Sequence, residues 1–177
     1  MLLRLFFSVI VVVLLLIAPL SRAEVISSDD HGFHTKSEVV VPVSPDKAYE
    51  KFLDVKSWWL ASHTWFGSSA NLSIEPQANG CFCEILDDKS VLHMTVSFVN
   101  PPREVRMNGG LGPLQGLGFQ GNMSFRFLPT SESATTVILE YRVTGYDPDG
   151  LKPWAPIVDS VLRQQLESLQ SSLMLAR

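Results

Sequence analysis

Over residues 154–175 the apolar side chains Ile157, Val158, Val161, Leu162, Leu166, Leu169 and Leu173 recur at steps of three and four. That is the period of one helix face. Asp159, Arg163, Gln164, Glu167, Gln170 and Ser171 fall mostly on the other side. The spacing predicts an amphipathic helix about 30 Å long. Its apolar stripe is too wide to leave in water, so other elements must cover it. The chain ahead of it reads almost entirely as strands.

Taken in order, residues 24–31 are polar and expected to fray. Residues 33–43, with the β-branched run Val39-Val40-Val41, read as a first strand. Ser44-Pro45-Asp46 opens a helix, with Ser at the N-cap, Pro at N1 and an acid in the first turn. Ala48, Tyr49, Phe52, Leu53 and Val55 continue it, and residues 57–60 suggest a second short helix. Further strands are expected over 72–75, 81–86, 91–99, 104–107, 123–128 and 136–144, with a glycine-rich connection over 108–121. Strands flanked by segregated helices define an α+β protein. Antiparallel strands curled around one helix leave a cavity in which a ligand can sit.

The first 23 residues read as a secretory signal rather than as fold. Arg4 precedes an apolar run over 5–18, and Ser21-Arg22-Ala23 places cleavage after Ala23. The run is shorter than the ~20 residues of a membrane span, so no stable membrane anchor is expected after cleavage. Removing 23 of 177 residues leaves 154, enough for one domain with a sizeable core. Losing Arg4 and Arg22 takes the net charge from −4 to −6. That modestly acidic balance argues against binding nucleic acid by bulk electrostatics. The expected product is secreted or periplasmic.

Three stretches carry a resemblance. They are Val43-Ser44-Pro45-Asp46-Lys47-Ala48-Tyr49-Glu50-Lys51-Phe52 leading into Trp58-Trp59, then Gly80-Cys81-Phe82-Cys83-Glu84, then Asn100-Pro101-Pro102-Arg103-Glu104-Val105. With the order of elements, they resemble the helix-grip fold of the START/polyketide-cyclase (SRPBCC) superfamily. They are most similar to the branch named after the activator of the heat-shock-protein ATPase, in its stand-alone form. The resemblance covers about residues 32–175. It implies one domain over 32–177, with two short helices after the first strand and a curved antiparallel sheet of about six or seven strands around the long C-terminal helix. The superfamily includes lipid carriers, hormone receptors, cyclases and chaperone activators, so the fold does not settle the function. The signal peptide departs from the branch, because an exported protein cannot meet a cytosolic chaperone ATPase.

Candidate chemistry gathers at a few places. If Asp88-Lys89 makes a two-residue turn, Glu84 lies opposite His93. Cys81, Cys83, Ile85, Leu92, Met94, Val96 and Phe98 then share an apolar face, and Phe82, Glu84, His93, Thr95 and Ser97 share the other. This register favours reading Glu84 and His93 as a cross-strand ion pair on the outer face. The alternative is a proton-moving pair in the cavity. Cys81 and Cys83 are expected to be reduced and buried, with a strained disulfide and a soft-metal site as the alternatives. Trp58, Trp59, His63, Trp65 and Phe66 cluster as a candidate pocket mouth, with ordinary packing under a loop as the alternative. The glycine-rich stretch around Leu114 lacks the Walker lysine and suits either a flap or a long connection.

The leading expectation is a protein that binds a small hydrophobic molecule between sheet and C-terminal helix. Trp58, Trp59, His63, Trp65, Cys83, Met94, Leu114, Val158 and Leu162 are its expected ligand-binding residues. No metal and no cofactor are expected. The alternatives are a cyclase- or hydrolase-type enzyme using Glu84, His93 or His63, and a protein-interaction module.

Overall fold

A computed structural model describes residues 22–175. All but the last two residues of the expected signal peptide, 1–23, lie outside that range. The chain runs β1 (Arg22–Ser28), β2 (Gly32–Val41), α1 (Pro45–Leu53), β3 (Leu72–Ile74), β4 (Cys81–Leu86), β5 (Lys89–Asn100) and β6 (Glu104–Asn108). It continues through the single-turn α2 (Pro113–Gly116), β7 (Gln120–Ser131), β8 (Ala134–Thr144) and α3 (Trp154–Met174). Short 3-10 turns at Val55–Ser57, Ala61–His63 and Ser69–Asn71 fill the stretch between α1 and β3.

The eight strands form one antiparallel sheet in the order β1-β2-β8-β7-β6-β5-β4-β3. This is the expected α+β helix-grip architecture, with one strand more than the sequence suggested. The extra strand is β1, formed by the last two residues of the expected signal and by residues 24–28, expected to fray. Its backbone pairs along β2 from Arg22↔Glu38 to Ser28↔Phe33, which satisfies hydrogen-bonding groups whatever the polarity of the side chains.

The helix at residue 45 begins where Ser44 and Pro45 placed it, although the Ser44 side chain makes no capping bond and its carbonyl accepts from Ala48 N–H at 3.0 Å. The expected second helix over 57–60 is replaced by the 3-10 turns on either side of Trp58 and Trp59. There the two indoles are buried and their N–H groups donate to Phe52 O and His63 O.

Helix α3 packs on β2 and β1. Val39 and Val41 supply apolar bulk on the buried face of β2, and the small Thr35 and Ser37 let the helix lie close. Val158, Leu162, Leu166, Leu169 and Leu173 of the expected stripe are buried, joined by Ala155 and Gln165. Ile157 is 57% exposed and Val161 half-buried, so the stripe leaves the sheet near the start of the helix. That departure opens the space described next. Farther along, Phe52, Trp58, Phe125 and Phe127 close the core with ring centroids 4.6–6.4 Å apart.

Candidate functional site

A cavity of about 340 Å³ lies between the first half of α3, the segment 62–65, the glycine-rich connection before α2, and β5. Trp154, Ile157, Val158, Val161 and Leu162 form the helix wall; Leu111, Gly112, Pro113 and Leu114 form the opposite wall; Trp59, Ser62, His63, Thr64, Trp65 and His93 complete it. The lining is mostly apolar, with two imidazoles and two hydroxyls. Trp65 is 54% exposed and stands with Ile157 where the cavity opens to solvent.

Of the nine expected ligand-binding residues, six line this cavity: Trp59, His63, Trp65, Leu114, Val158 and Leu162. Three do not. Trp58 is turned into the core against Phe52 and Phe125. Met94 is buried in the sheet, 1% exposed, without reaching the cavity. Cys83 faces outward and is bonded to Cys81, which overturns the expected reduced, buried pair and leaves neither thiolate free for a metal.

The hairpin register also differs from expectation. The turn is Asp87-Asp88, with Asp87 in the left-handed region at φ 55°, and Leu86 pairs with Lys89. Glu84 therefore lies opposite Val91 rather than His93. Between Cys83↔Leu92 and Phe82↔Met94 the ladder skips His93, which is the extra residue of a β-bulge. The bulge lets His93 and Met94, adjacent in sequence, both be buried. Phe82, Glu84 and His93, of the face that looked polar, point inward and Ile85, Leu92 and Phe98 are exposed, whereas Met94 and Val96 of the apolar face are buried as expected. Apolar alternation misled here because loop backbone supplies the polar partners of Glu84 on this inner face.

Glu84 is fully buried. Its Oε2 accepts from Trp65 N–H at 2.8 Å and its Oε1 from Phe66 N–H at 2.7 Å. Two backbone donors aimed at one carboxylate fix its orientation and satisfy both of its oxygens. Oε2 also lies 3.4 Å from His93 Nε2. His93 is 4% exposed, and neither of its ring nitrogens has a hydrogen-bond partner among the described residues. Burial pushes the imidazole pKa below its usual value, and the Glu84 carboxylate opposes that shift without cancelling it. Glu84 thus ties the Trp65-Phe66 edge of the cavity to β4 and sets a negative charge behind the imidazole. The outer-face ion pair is ruled out by this geometry.

His63 is held from α3. Gln165 Oε1 accepts from Leu60 N–H at 2.9 Å, which fixes the amide so that its NH2 group donates to His63 Nδ1. A neutral His63 therefore carries its proton on Nε2. Sequence reasoning missed Gln165, whose signal was its place between the apolar positions 162 and 166 on the buried side of the helix.

The glycine-rich wall is anchored by Tyr141 of β8. Its hydroxyl donates to Gly109 O at 2.8 Å and accepts from Leu111 N–H at 3.0 Å. Burial pushes this phenol up to about 12. Gly121 makes room for the ring, because a Cβ there would collide with it. Gly112, at φ 59° with ψ −133°, turns the chain into α2 in a conformation reserved for glycine.

No protein-family model matches the chain, and no curated protein matches it in sequence. Solved structures do match in fold. CalU16 from Micromonospora echinospora is 12% identical, with a TM-score of 0.57 over 88% of this chain and 86% of that one. A putative uncharacterized protein from Rhizobium leguminosarum is 13% identical, with a TM-score of 0.59 over 88% of this chain and 99% of that one. The di-domain ARO/CYC BexL from the BE-7585A biosynthetic pathway is 15% identical, with a TM-score of 0.56 over 80% of this chain and 46% of that one. At such identities the likeness is one of fold. The chain has the helix-grip fold, as the resemblance to the SRPBCC superfamily implied.

Proposed function

We propose that this protein binds a small, mainly apolar molecule bearing a hydrogen-bonding group, in the cavity between α3 and the glycine-rich wall. The observation that carries the reading is the cavity itself, about 340 Å³ and mostly apolar, with the imidazole of His93, which makes no hydrogen bond among the described residues, in its wall. Its volume lies in the range of small-molecule sites. Apolar burial supplies affinity, and His93 and His63 supply orientation. The fold likeness to an ARO/CYC protein is compatible with this reading. The likeness of the three sequence stretches to the heat-shock-ATPase activator branch adds an expected lineage and no ligand.

Native mass spectrometry of the mature protein, followed by solvent extraction, tests the reading directly. A stoichiometric apolar adduct is expected. Leu162→Trp, which fills the cavity, is expected to abolish binding of N-phenyl-1-naphthylamine while leaving the circular dichroism unchanged. Undiminished binding by that variant would overturn the assignment.

Glu84 and His93 together support a second reading, an enzyme of the cyclase or hydrolase type. Glu84 and His93 face the interior, with the carboxylate placed to stabilise an imidazolium formed by proton abstraction. The readings part at His93→Gln, which in an enzyme stops turnover with binding retained.

We further infer that the chain is exported. The apolar run and the Ser21-Arg22-Ala23 site support this, and so does the Cys81–Cys83 disulfide, which suits an oxidising compartment.

A further inference from the structure

Cys81 and Cys83 are the two cysteines of the sequence, and they are bonded to each other. Their bond encloses a single residue, Phe82. A loop this short removes little entropy from the unfolded chain, so the bond is a poor staple for the fold. What it constrains is local, and its location is specific. The β4–β5 register breaks between Phe82 and Cys83, opposite the bulged His93. Cys81 and Cys83 are half-buried, and Phe82 between them is buried on the inner face. The Phe82 ring lies 5.0 Å from the His93 imidazole and 5.3 Å from the Trp59 indole, both of them cavity walls. The disulfide therefore grips the residue against which two cavity walls rest, at the one point where the β4–β5 ladder is interrupted.

We propose that Cys81 and Cys83 form a reversible dithiol–disulfide site whose redox state sets the position of His93 in the cavity, and with it the affinity for ligand. The affinity half of this proposal rests on reading the cavity as a ligand site. The co-reactant is a dithiol. One of its thiolates attacks a sulfur of the pair, forming a mixed disulfide, and the other cysteine leaves as a thiolate and takes up a proton. The second thiol of the reductant attacks the mixed disulfide, releases the remaining cysteine, and closes the reductant as its own disulfide. Two electrons pass to the protein, and two protons end on the cysteine sulfurs. With the bond open, β4 can adjust across the bulge, and Phe82 no longer holds His93 and Trp59 in one place. By linkage, a ligand that prefers one redox state shifts the dithiol–disulfide equilibrium by the same factor.

The test compares the mature protein before and after treatment with dithiothreitol, the redox state being read from intact mass and thiol alkylation. Two readouts are taken: the Kd for N-phenyl-1-naphthylamine and the ring resonances of 15N-labelled His93. The expected result is a displaced His93 signal and a change in Kd of about fivefold or more. Cys81→Ser with Cys83→Ser should reproduce the reduced state and make both readouts insensitive to dithiothreitol. Identical His93 resonances in the two states, or a bond that resists dithiothreitol in the folded protein, would overturn the proposal. A probe that binds neither state while His93 responds to reduction would defeat the ligand reading and leave the redox site standing. Equal binding to both states with an unmoved His93 would do the reverse.

Discussion

At the scale of single residues, the chemistry rests on one carboxylate and the groups it holds. Glu84 accepts two backbone N–H groups with its two oxygens, so an amide cannot replace it without turning an NH2 toward a donor. Glu84→Gln is expected to cost about 2–4 kcal/mol in urea unfolding and to speed hydrogen exchange at the Trp65 and Phe66 amides. Slow exchange at those two amides in the variant would contradict the role assigned here. His93 gives a pH dependence of known sign. Its folded pKa is depressed by burial, so below the ordinary value near 6.5 the unfolded chain binds more protons than the folded one. Stability is therefore present above that pH and lost as pH falls through the folded pKa. His34 is also depressed, chiefly by burial and by Arg142, and adds to the same trend. The urea midpoint should fall between pH 7 and pH 5, and less so in His93→Gln. An unchanged fall in that variant would assign the whole effect elsewhere. Neither behaviour was legible in the sequence, where Glu84 and His93 looked like surface partners. Their burial depends on a bulge and on loop donors that lie 18 and 19 residues away in the chain.

At the scale of elements, α3 does two jobs along one stripe. Leu166 is fully buried among the helix-to-sheet contacts, whereas Ile157 stands at the cavity opening. Leu166→Ala is expected to destabilise by about 2–5 kcal/mol. Ile157→Ala should cost under about 0.5 kcal/mol and instead weaken binding of an apolar probe. Thermal unfolding and probe titration on the two variants separate these roles, and equal destabilisation by both would erase the distinction. The period of the helix was plain in the sequence, as was the existence of each strand from β2 to β8. The pattern could not tell which apolar positions meet the sheet and which meet a cavity. Both environments select the same side chains.

At the scale of the whole molecule, β1 joins the expected leader to the folded sheet. Cleavage after Ala23 would leave Glu24–Ser28 still paired with β2. Amino-terminal sequencing after expression of the full chain is expected to begin at Glu24, and a start well beyond Ser28 would remove the strand and contradict the proposed export. Local pattern by itself determined the elements: the 3.6-residue stripe of α3, the β-branched run of β2, the Ser44-Pro45 helix start, and the order of elements along the chain that carried the resemblance to the helix-grip fold. These depend on neighbours along the chain, which the sequence displays directly. Tertiary structure alone decided the register at His93, the inward face of β4, the bond between Cys81 and Cys83, and the gathering of His63, His93 and Leu114 around one cavity. Those outcomes depend on which distant backbone groups arrive to satisfy a buried polar atom, and no local pattern records that.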